Sequence, residues 1–247
     1  MTSSTYRSSN ETITSKFNFC EEIFTETFLT EKEQFEKRKT EGDLLFMQVP
    51  LLEIDGLKLV QRDAIIRYIA RKYGLYGNTL DEQTKVDVLY EGAKDFLFSF
   101  MSFGFYGDDE KVMENIKSKT LPRYLPIFER LLSESSSGYL VGDGLTYADL
   151  CLLEALLVTE EYFPELLSDY DKLKDFKVKI SSLPRIKAFL EGPQRKRKNT
   201  PEYCGTVKEV YYKCSSTSFQ LQELVTKRYF RNLSGLVVLP CTCTTTD

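Results

Sequence analysis

The sequence predicts a small α/β domain followed by an all-helical domain, and two observations predict this order. Residues 23–76 alternate short apolar strand patterns with amphipathic helix patterns, and two of the strands flank a tight Asp-Gly turn. From about residue 80 the pattern changes to long runs in which apolar residues recur at helical spacing. A length of 247 residues is sufficient for two ordinary domains.

The composition argues against several classes of function. Hydrophobic residues make up 42% of the chain and charged residues 28%, which is typical of soluble globular proteins. The net charge of -4 gives no electrostatic support to nucleic-acid binding, and no apolar run reaches membrane-spanning length. The first residues lack the apolar core of a signal peptide. We therefore expect a cytoplasmic protein with neither a nucleic-acid nor a membrane partner.

The chain contains no histidine, which restricts its chemistry. Ser-His and Cys-His nucleophile pairs, histidine bases and histidine metal ligands are all excluded. The six cysteines are scattered without a CxxC pair, so we interpret them as free thiols. Cys241-Thr-Cys243 has no further ligands and is a weak metal signal, so we predict no metal site. Any chemistry must use a Tyr, Ser, Cys, Arg, Lys or carboxylate group, or the nucleophile of a bound cosubstrate.

The first elements follow an atypical N-terminus. Residues 1–22 begin with a Ser/Thr/Asn-rich stretch that predicts disorder. Apolar and polar residues alternate from Ile23 to Leu29, which predicts a strand. The charged segment after it predicts a short surface helix with a capping box at Thr30 and Glu33 and an end at Gly42.

The segment QVPLLEIDGLKLVQRDAI, residues 48–65, predicts a hairpin and then a helix. Pro50 cannot donate to a sheet ladder and therefore marks the start or edge of a strand. The apolar runs LLEI and LKLV flank Asp55-Gly56, which is a strong hairpin signal. The helix begins after Gln61 and ends at Gly74.

The helical domain is predicted over residues 80–212. DEQTKVDVLYEGAKDFLFSFMSFGF and VMENIKSKTLPRYLPIFERLL predict two long helices, the second with prolines near its middle. A glycine-containing loop then leads into a helix, and Thr146 and Asp149 have capping-box spacing at its start. Leu183–Gly192 predicts one more short helix.

These elements resemble the cytosolic glutathione S-transferases, and the alpha class in particular. GDLLFMQVPLLEIDGLKLVQ, AIIRYIARKYGLYG and YLVGDGLTYADL carry the resemblance, which runs from about Ile23 to Tyr212. It implies a thioredoxin-like glutathione-binding domain at residues 23–76, all-helical residues 80–212 and an unrelated extension at residues 213–247. The implied activity is conjugation of glutathione to small hydrophobic electrophiles by a homodimer, as in xenobiotic detoxification. Glutathione is the cosubstrate, and no other cofactor is implied.

The resemblance also implies a glutathione site around the hairpin. The proline that corresponds to Pro50 is cis in this family, and Val49 would then pair with the glutathione backbone as an added strand does. Gln48 and Gln61 would hold the γ-glutamyl end. Lys39 matches a position that contacts the glycyl carboxylate, although it fits an ordinary surface lysine equally well.

Other implied contacts come from the helical domain. Asp95 and Arg123 match positions that reach the γ-glutamyl group of the neighbouring subunit, although both also fit local helix-surface charges. The helix that follows residue 80 lines the hydrophobic-substrate site in this family. Phe98, Met101 and Phe105 are therefore candidates for that site, and core positions are the alternative.

The family's catalytic motif is missing from its expected place. In the family an apolar strand ends in Tyr-Phe, a Gly-Arg turn and a tryptophan-bearing helix follow, and the tyrosine hydroxyl donates to the glutathione sulfur. This chain has no tryptophan, and its upstream tyrosine, Tyr6, has no apolar strand before it. We keep Tyr6 as a candidate donor, and we expect impaired activity. The alternatives are a non-catalytic ligand-binding protein of this fold or a subunit that pairs with an intact transferase.

The missing motif also removes a strand. Thr12–Phe19 could form one, but only CEE separates it from the next strand. That spacing allows an antiparallel hairpin and not the helical crossover that a parallel strand needs. We therefore predict that the first strand-helix unit is absent or improvised and that an edge of the sheet is uncovered.

Overall fold

The computed structural model describes residues 25–101, 103, 109–192, 195, 200–207, 209 and 236–239. Its strands are β1 (Thr25–Phe28), β2 (Leu51–Ile54), β3 (Leu57–Val60) and β4 (Leu236–Leu239). Its α-helices are α1 (Lys32–Thr40), α2 (Arg62–Lys72), α3 (Leu80–Phe98), α4 (Asp109–Asn115), α5 (Leu121–Glu134), α6 (Tyr147–Tyr162), α7 (Asp171–Ser181), α8 (Pro184–Glu191) and α9 (Pro201–Val207). This arrangement confirms the predicted fold class, an α/β unit followed by helices.

The sheet has the order β1-β4-β2-β3. The hairpin of β2 and β3 is antiparallel, with Leu51 opposite Val60. Asp55 and Gly56 join the two strands with φ angles of 51° and 74°. Two consecutive positive φ angles are what a type I′ turn requires, so the hairpin forms where the sequence predicts it.

The prediction of an uncovered sheet edge is wrong for the described part of the chain. β4 comes from the C-terminal extension and lies between β1 and β2. It runs antiparallel to β1 and parallel to β2. The physical reason is that a segment distant in the chain can satisfy the edge of β2, which only tertiary structure reveals.

Helix α1 begins one residue later than the predicted capping box requires. The side chain of Gln34 accepts from the backbone N–H of Thr30 at 2.9 Å and from that of Glu31 at 3.2 Å. Glu31 is therefore the N-cap, and the Thr30–Glu33 box is not formed. The predicted end is confirmed, since Gly42 follows the helix with φ 77°.

The helical core packs around α3 and α6. Tyr147 at the start of α6 lies 4.7 Å from the ring of Tyr90 on α3 and 5.4 Å from that of Tyr76, measured between centroids. A second, smaller cluster lies under α1 and contains Leu29, Phe35, Leu44, Val49 and Leu51. The sheet therefore has buried side chains on both faces.

Two regions of the helical domain differ from the prediction. The second predicted helix is divided into α4, a π-helical turn at Ile116–Thr120 and α5, with Pro122 in the first turn of α5. A proline is tolerated there because its missing N–H has no partner in the first turn. Helix α7 was not predicted, although Leu173, Phe176 and Ile180 are buried at helical spacing. Among the described residues, no helix is both long and apolar enough to cross a bilayer.

Candidate functional site

The residues predicted to bind glutathione around the hairpin, Gln48, Val49, Pro50 and Gln61, lie at one end of the sheet, and we call them the glutathione wall. The Val49–Pro50 peptide is cis, as the resemblance implies. Val49 is buried, with 4% of its surface exposed, and Gln48 is half-buried. None of the turn, loop and cap hydrogen bonds between described residues uses the backbone of Val49. Its N–H and C=O are thus suited to pair with an extended peptide.

Gln61 lies at the same end of the sheet. Because Leu51 pairs with Val60, the next residues outward, Pro50 and Gln61, are neighbours across the hairpin. Gln61 is exposed and is the N-cap residue of α2, with φ 70°, and its carbonyl accepts from the Ile65 N–H at 3.0 Å. The start of a helix favours a carboxylate, because backbone N–H groups and the helix dipole both point towards it.

Lys39 lies in the last turn of α1 and is paired within that helix. Its ammonium donates to both carboxylate oxygens of Glu36 at 2.9 Å and lies 5.1 Å from the centroid of the Phe35 ring. This geometry fits the surface-lysine alternative. A glycyl carboxylate would have to compete with Glu36 for the ammonium.

A charged network that the sequence analysis missed lies directly after Gln61. The Arg62 guanidinium donates to Asp63 at 2.9 and 2.7 Å and stacks 4.4 Å from the centroid of the Phe98 ring. Asp63 also accepts from the Lys94 ammonium at 3.0 Å and from the Tyr90 hydroxyl at 2.8 Å. The network therefore ties α2 to α3. The sequence feature that could have indicated this network is Asp63, an acidic residue in the first turn of α2.

The network stays ionised because its members favour each other's charged forms. Burial acts to raise the pKa of Asp63, but Arg62 and Lys94 outweigh it and hold that pKa well below its ordinary value. Burial acts to lower the pKa of Lys94, but its hydrogen bonds to Glu91 and Asp63 raise it. The ion pairs consequently position the start of α2 against α3.

Asp95 lies on α3 and Arg123 on α5, and both residues are exposed. Both act on Tyr124: burial raises the pKa of this tyrosine, Arg123 opposes the rise and Asp95 adds to it. The Arg123 guanidinium lies 5.1 Å from the centroid of the Tyr124 ring. Each of these two predicted residues is therefore close enough to Tyr124 to influence it.

The candidates for the hydrophobic-substrate site flank a buried aromatic cluster. Phe100 and Phe103 are buried and stack on Tyr162, with centroids 5.8 and 4.4 Å apart. Phe98 and Met101 are only half-buried. The segment thus divides into core positions and positions that can face a ligand. Phe105 and Tyr6 lie outside the described residues.

Three consecutive apolar side chains are exposed just before the wall. The exposed fractions are 72% for Leu45, 56% for Phe46 and 57% for Met47. Contiguous exposed apolar groups of this kind mark contact surfaces more often than scattered ones do. We call these three residues the apolar loop. The apolar run in DLLFMQ was the signal for it in the sequence.

Comparison with protein families identifies relatives over most of the chain. Residues 94–193 match the family described as "Glutathione S-transferase, C-terminal domain". "Glutathione S-transferase 3" of Gallus gallus is 43% identical over 190 residues, which cover 76% of this chain and 83% of the relative. "Glutathione S-transferase alpha-1" of Rattus norvegicus is 45% identical over 176 residues, covering 70% of this chain and 79% of the relative.

Solved structures of glutathione S-transferases are also similar to this chain over most of their length. The glutathione S-transferase from Ascaris lumbricoides superposes with a TM-score of 0.65 at 32% identity, covering 80% of this chain and 97% of that one. Monomeric Na-GST-3, a glutathione S-transferase from Necator americanus, superposes with a TM-score of 0.67 at 30% identity, covering 78% of this chain and 97% of that one.

Proposed function

The chain belongs to the glutathione S-transferase family, and we propose that it conjugates the thiol of reduced glutathione to hydrophobic electrophiles. The similarity to transferases over most of their length is the observation that carries this proposal. The nucleophile is the thiolate of glutathione itself, which suits a chain without histidine. The protein supplies binding and orientation, and no further cofactor is needed.

The proposed binding mode uses the end of the sheet described above. The cysteinyl backbone of glutathione pairs with Val49 beside Pro50, as a strand adds to a sheet. The γ-glutamyl end lies between Gln48 and Gln61, where the start of α2 favours its carboxylate. Lys39 binds the glycyl carboxylate when its ammonium leaves Glu36.

Activation of the thiol and binding of the electrophile complete the proposal. A free thiol has a pKa of about 8.5, so only a few per cent is ionised at neutral pH without help. Tyr6 is our candidate for the hydroxyl that stabilises the thiolate. Phe98, Met101 and Phe105 would form the apolar wall that holds the electrophile.

We further propose that the protein is a cytoplasmic homodimer. Asp95 and Arg123 would reach the γ-glutamyl group of the partner's glutathione from the surface of the helical domain.

The apolar loop offers a contact surface for this dimer, and Phe46→Ser should shift the dimer towards monomer in sedimentation velocity. Val178→Ser is the matched control, because Val178 is an exposed valine on α7 away from that loop. Equal sedimentation of parent and Phe46→Ser would contradict the role of the loop.

Retention on immobilised glutathione, followed by a conjugation assay with an aryl halide, tests the function directly. Retention with turnover is the expected result. Retention without turnover would instead support a non-catalytic binding protein, and co-purification with an intact transferase as a heterodimer would support a partner subunit. Absence of both retention and turnover in the folded protein would refute the proposal.

Substitution of Gln61 tests the binding mode separately. A hydrogen bond to a charged group contributes about 1.5–3 kcal/mol, so Gln61→Ala should weaken glutathione binding at least about tenfold. Gln83→Ala is the control, because Gln83 lies in α3 and contacts the Gly77 carbonyl at 3.3 Å. Isothermal titration calorimetry measures the affinity of both variants for glutathione. Equal affinities would show that Gln61 does not contribute to binding.

A further inference from the structure

Strand β2 needs a neighbour on each edge, because both of its faces are buried. Leu51 is fully buried in the small cluster under α1. Leu52 and Ile54 are 2% and 3% exposed and belong to the main core. β3 pairs with one edge. Backbone N–H and C=O groups on the other edge would be buried without partners between two apolar layers, which is strongly unfavourable.

Strand β4 occupies that edge. Its four residues pair with β1, from Thr25 opposite Leu239 to Phe28 opposite Leu236. On its other side Val237 lies opposite Leu51, and Val238 opposite Leu52. The sequence LVVL is apolar and its two valines are β-branched, which is typical of an interior strand covered on both faces.

The direction of β4 is opposite to that expected for the first strand of the family's sheet. A strand joined to β1 by a helical crossover would run parallel to it. β4 instead runs antiparallel to β1, so its amino end lies beside Leu51, at the Pro50–Gln61 end of the sheet. β4 therefore begins at the end of the sheet where the glutathione site is predicted. The family's first strand instead ends there, and the catalytic turn follows it.

We propose that residues 236–239 are a built-in replacement strand, so that the C-terminal extension completes the sheet that supports the glutathione wall. In this way β4 supplies the backbone pairing of β1 and β2 that the first strand supplies in the family. Residues 210–235 join it to the last described helical residues. At about 3.3 Å per residue this connection can span roughly 85 Å, which is ample to reach the sheet of the same chain.

Disulfide trapping tests both the occupant and its direction. Phe28→Cys with Leu236→Cys places the two thiols at directly paired positions. Thr25→Cys with Leu236→Cys is the matched control, because three residues of strand, about 10 Å, separate those positions and exceed disulfide reach. Mild oxidation should cross-link the first pair and not the second, as identified by mass spectrometry of the digested protein. Cross-linking of the control pair alone would overturn the proposed direction.

Isotope mixing identifies the chain that donates the strand. The Phe28→Cys/Leu236→Cys variant is prepared with natural nitrogen and with ¹⁵N, and the two are unfolded together, refolded and then oxidised. Cross-links that join only peptides of the same label are expected. Mixed cross-links at the statistical frequency would show that a second copy donates the strand and would refute the proposal.

Stability measurements give an independent test that does not require conjugation activity. Val238→Pro removes a ladder N–H and should lower the melting temperature by an amount on the order of 10 °C. Thr245→Pro, which lies beyond the strand in the sequence, should have little effect.

Hydrogen exchange at Leu51–Ile54 should accelerate when residues 213–247 are removed and not when residues 1–22 are removed. The opposite pattern would assign the edge to Thr12–Phe19 and overturn the proposal.

Discussion

Replacement of Asp149 by alanine should be among the most destabilising single changes in the helical domain. Asp149 is fully buried in the first turn of α6. One carboxylate oxygen accepts from the Leu140 backbone N–H at 2.8 Å. The other accepts from both the backbone N–H and the hydroxyl of Thr146 at 2.7 Å. This carboxylate therefore joins the preceding loop to the helix that packs at the centre of the core.

The expected loss in the free energy of unfolding follows from the donor groups that lose Asp149 as their acceptor. Asp149→Ala removes the capping box, which contributes about 1 kcal/mol, and takes the acceptor from the N–H groups of buried Thr146 and half-buried Leu140, at about 1–3 kcal/mol each. We expect a total loss of about 3–5 kcal/mol in the free energy of unfolding, allowing for partial relaxation. For a chain of this size that corresponds to a fall of about 6–20 °C in melting temperature.

Thermal and urea unfolding followed by circular dichroism measure this loss. Asp149→Asn should be intermediate, because the amide keeps one acceptor oxygen. Asp171→Asn is the control: this residue begins α7, is exposed and pairs with Lys174, so its melting temperature should stay within about 2 °C of the parent's. If Asp149→Ala stays within about 1 kcal/mol of the parent, the capping box does not hold the loop to α6.

Two further substitutions test ion pairs and caps. Asp63 has a folded-state pKa below its ordinary value of 3.8, so its contribution is present above that value and is lost as the pH falls towards the lower folded pKa. The free energy of unfolding should therefore fall less steeply between pH 5 and pH 3 in Asp63→Asn than in the parent, and equal slopes in urea titrations would contradict this. Glu129 accepts from the backbone N–H groups of Lys172 and Leu173 at 2.9 Å each and so caps α7 from α5. Glu129→Ala should cost about 1–2 kcal/mol and speed hydrogen exchange of those two amides, whereas the exposed Glu134→Ala should do neither.

Features that depend on a few neighbouring residues could be predicted from the sequence. The hairpin forms at Asp55-Gly56 because both residues tolerate positive φ angles. Helix α6 begins at Thr146 because the capping partner is only three residues away. Gly74 follows α2 with φ 67° for the same local reason. The start of α1 was misplaced by one residue, since the box at Glu31 uses a glutamate in place of the usual threonine.

Contacts between distant parts of the chain were not predictable in this way. The stacking of Arg62 on Phe98 joins residues 36 positions apart, and no periodic pattern in either helix encodes that approach. The approach of Asp95 on α3 and Arg123 on α5 to Tyr124 likewise depends on how the two helices pack and not on sequence spacing. Such contacts fix the surroundings of the candidate site only after the helices have packed.

The sequence by itself determined the family, the order of the elements and the residues of the candidate glutathione wall, because motifs, turns and caps are local. Only the tertiary structure decided what lies beside β2. LVVL near the C-terminus has the composition of a buried strand. Its composition does not indicate which strand it pairs with, or whether that pairing is parallel or antiparallel. Leu51 pairs with Val237, 186 residues further along the chain, because β2 presents a buried edge whose backbone groups need partners. That edge exists only once both faces of the sheet are covered.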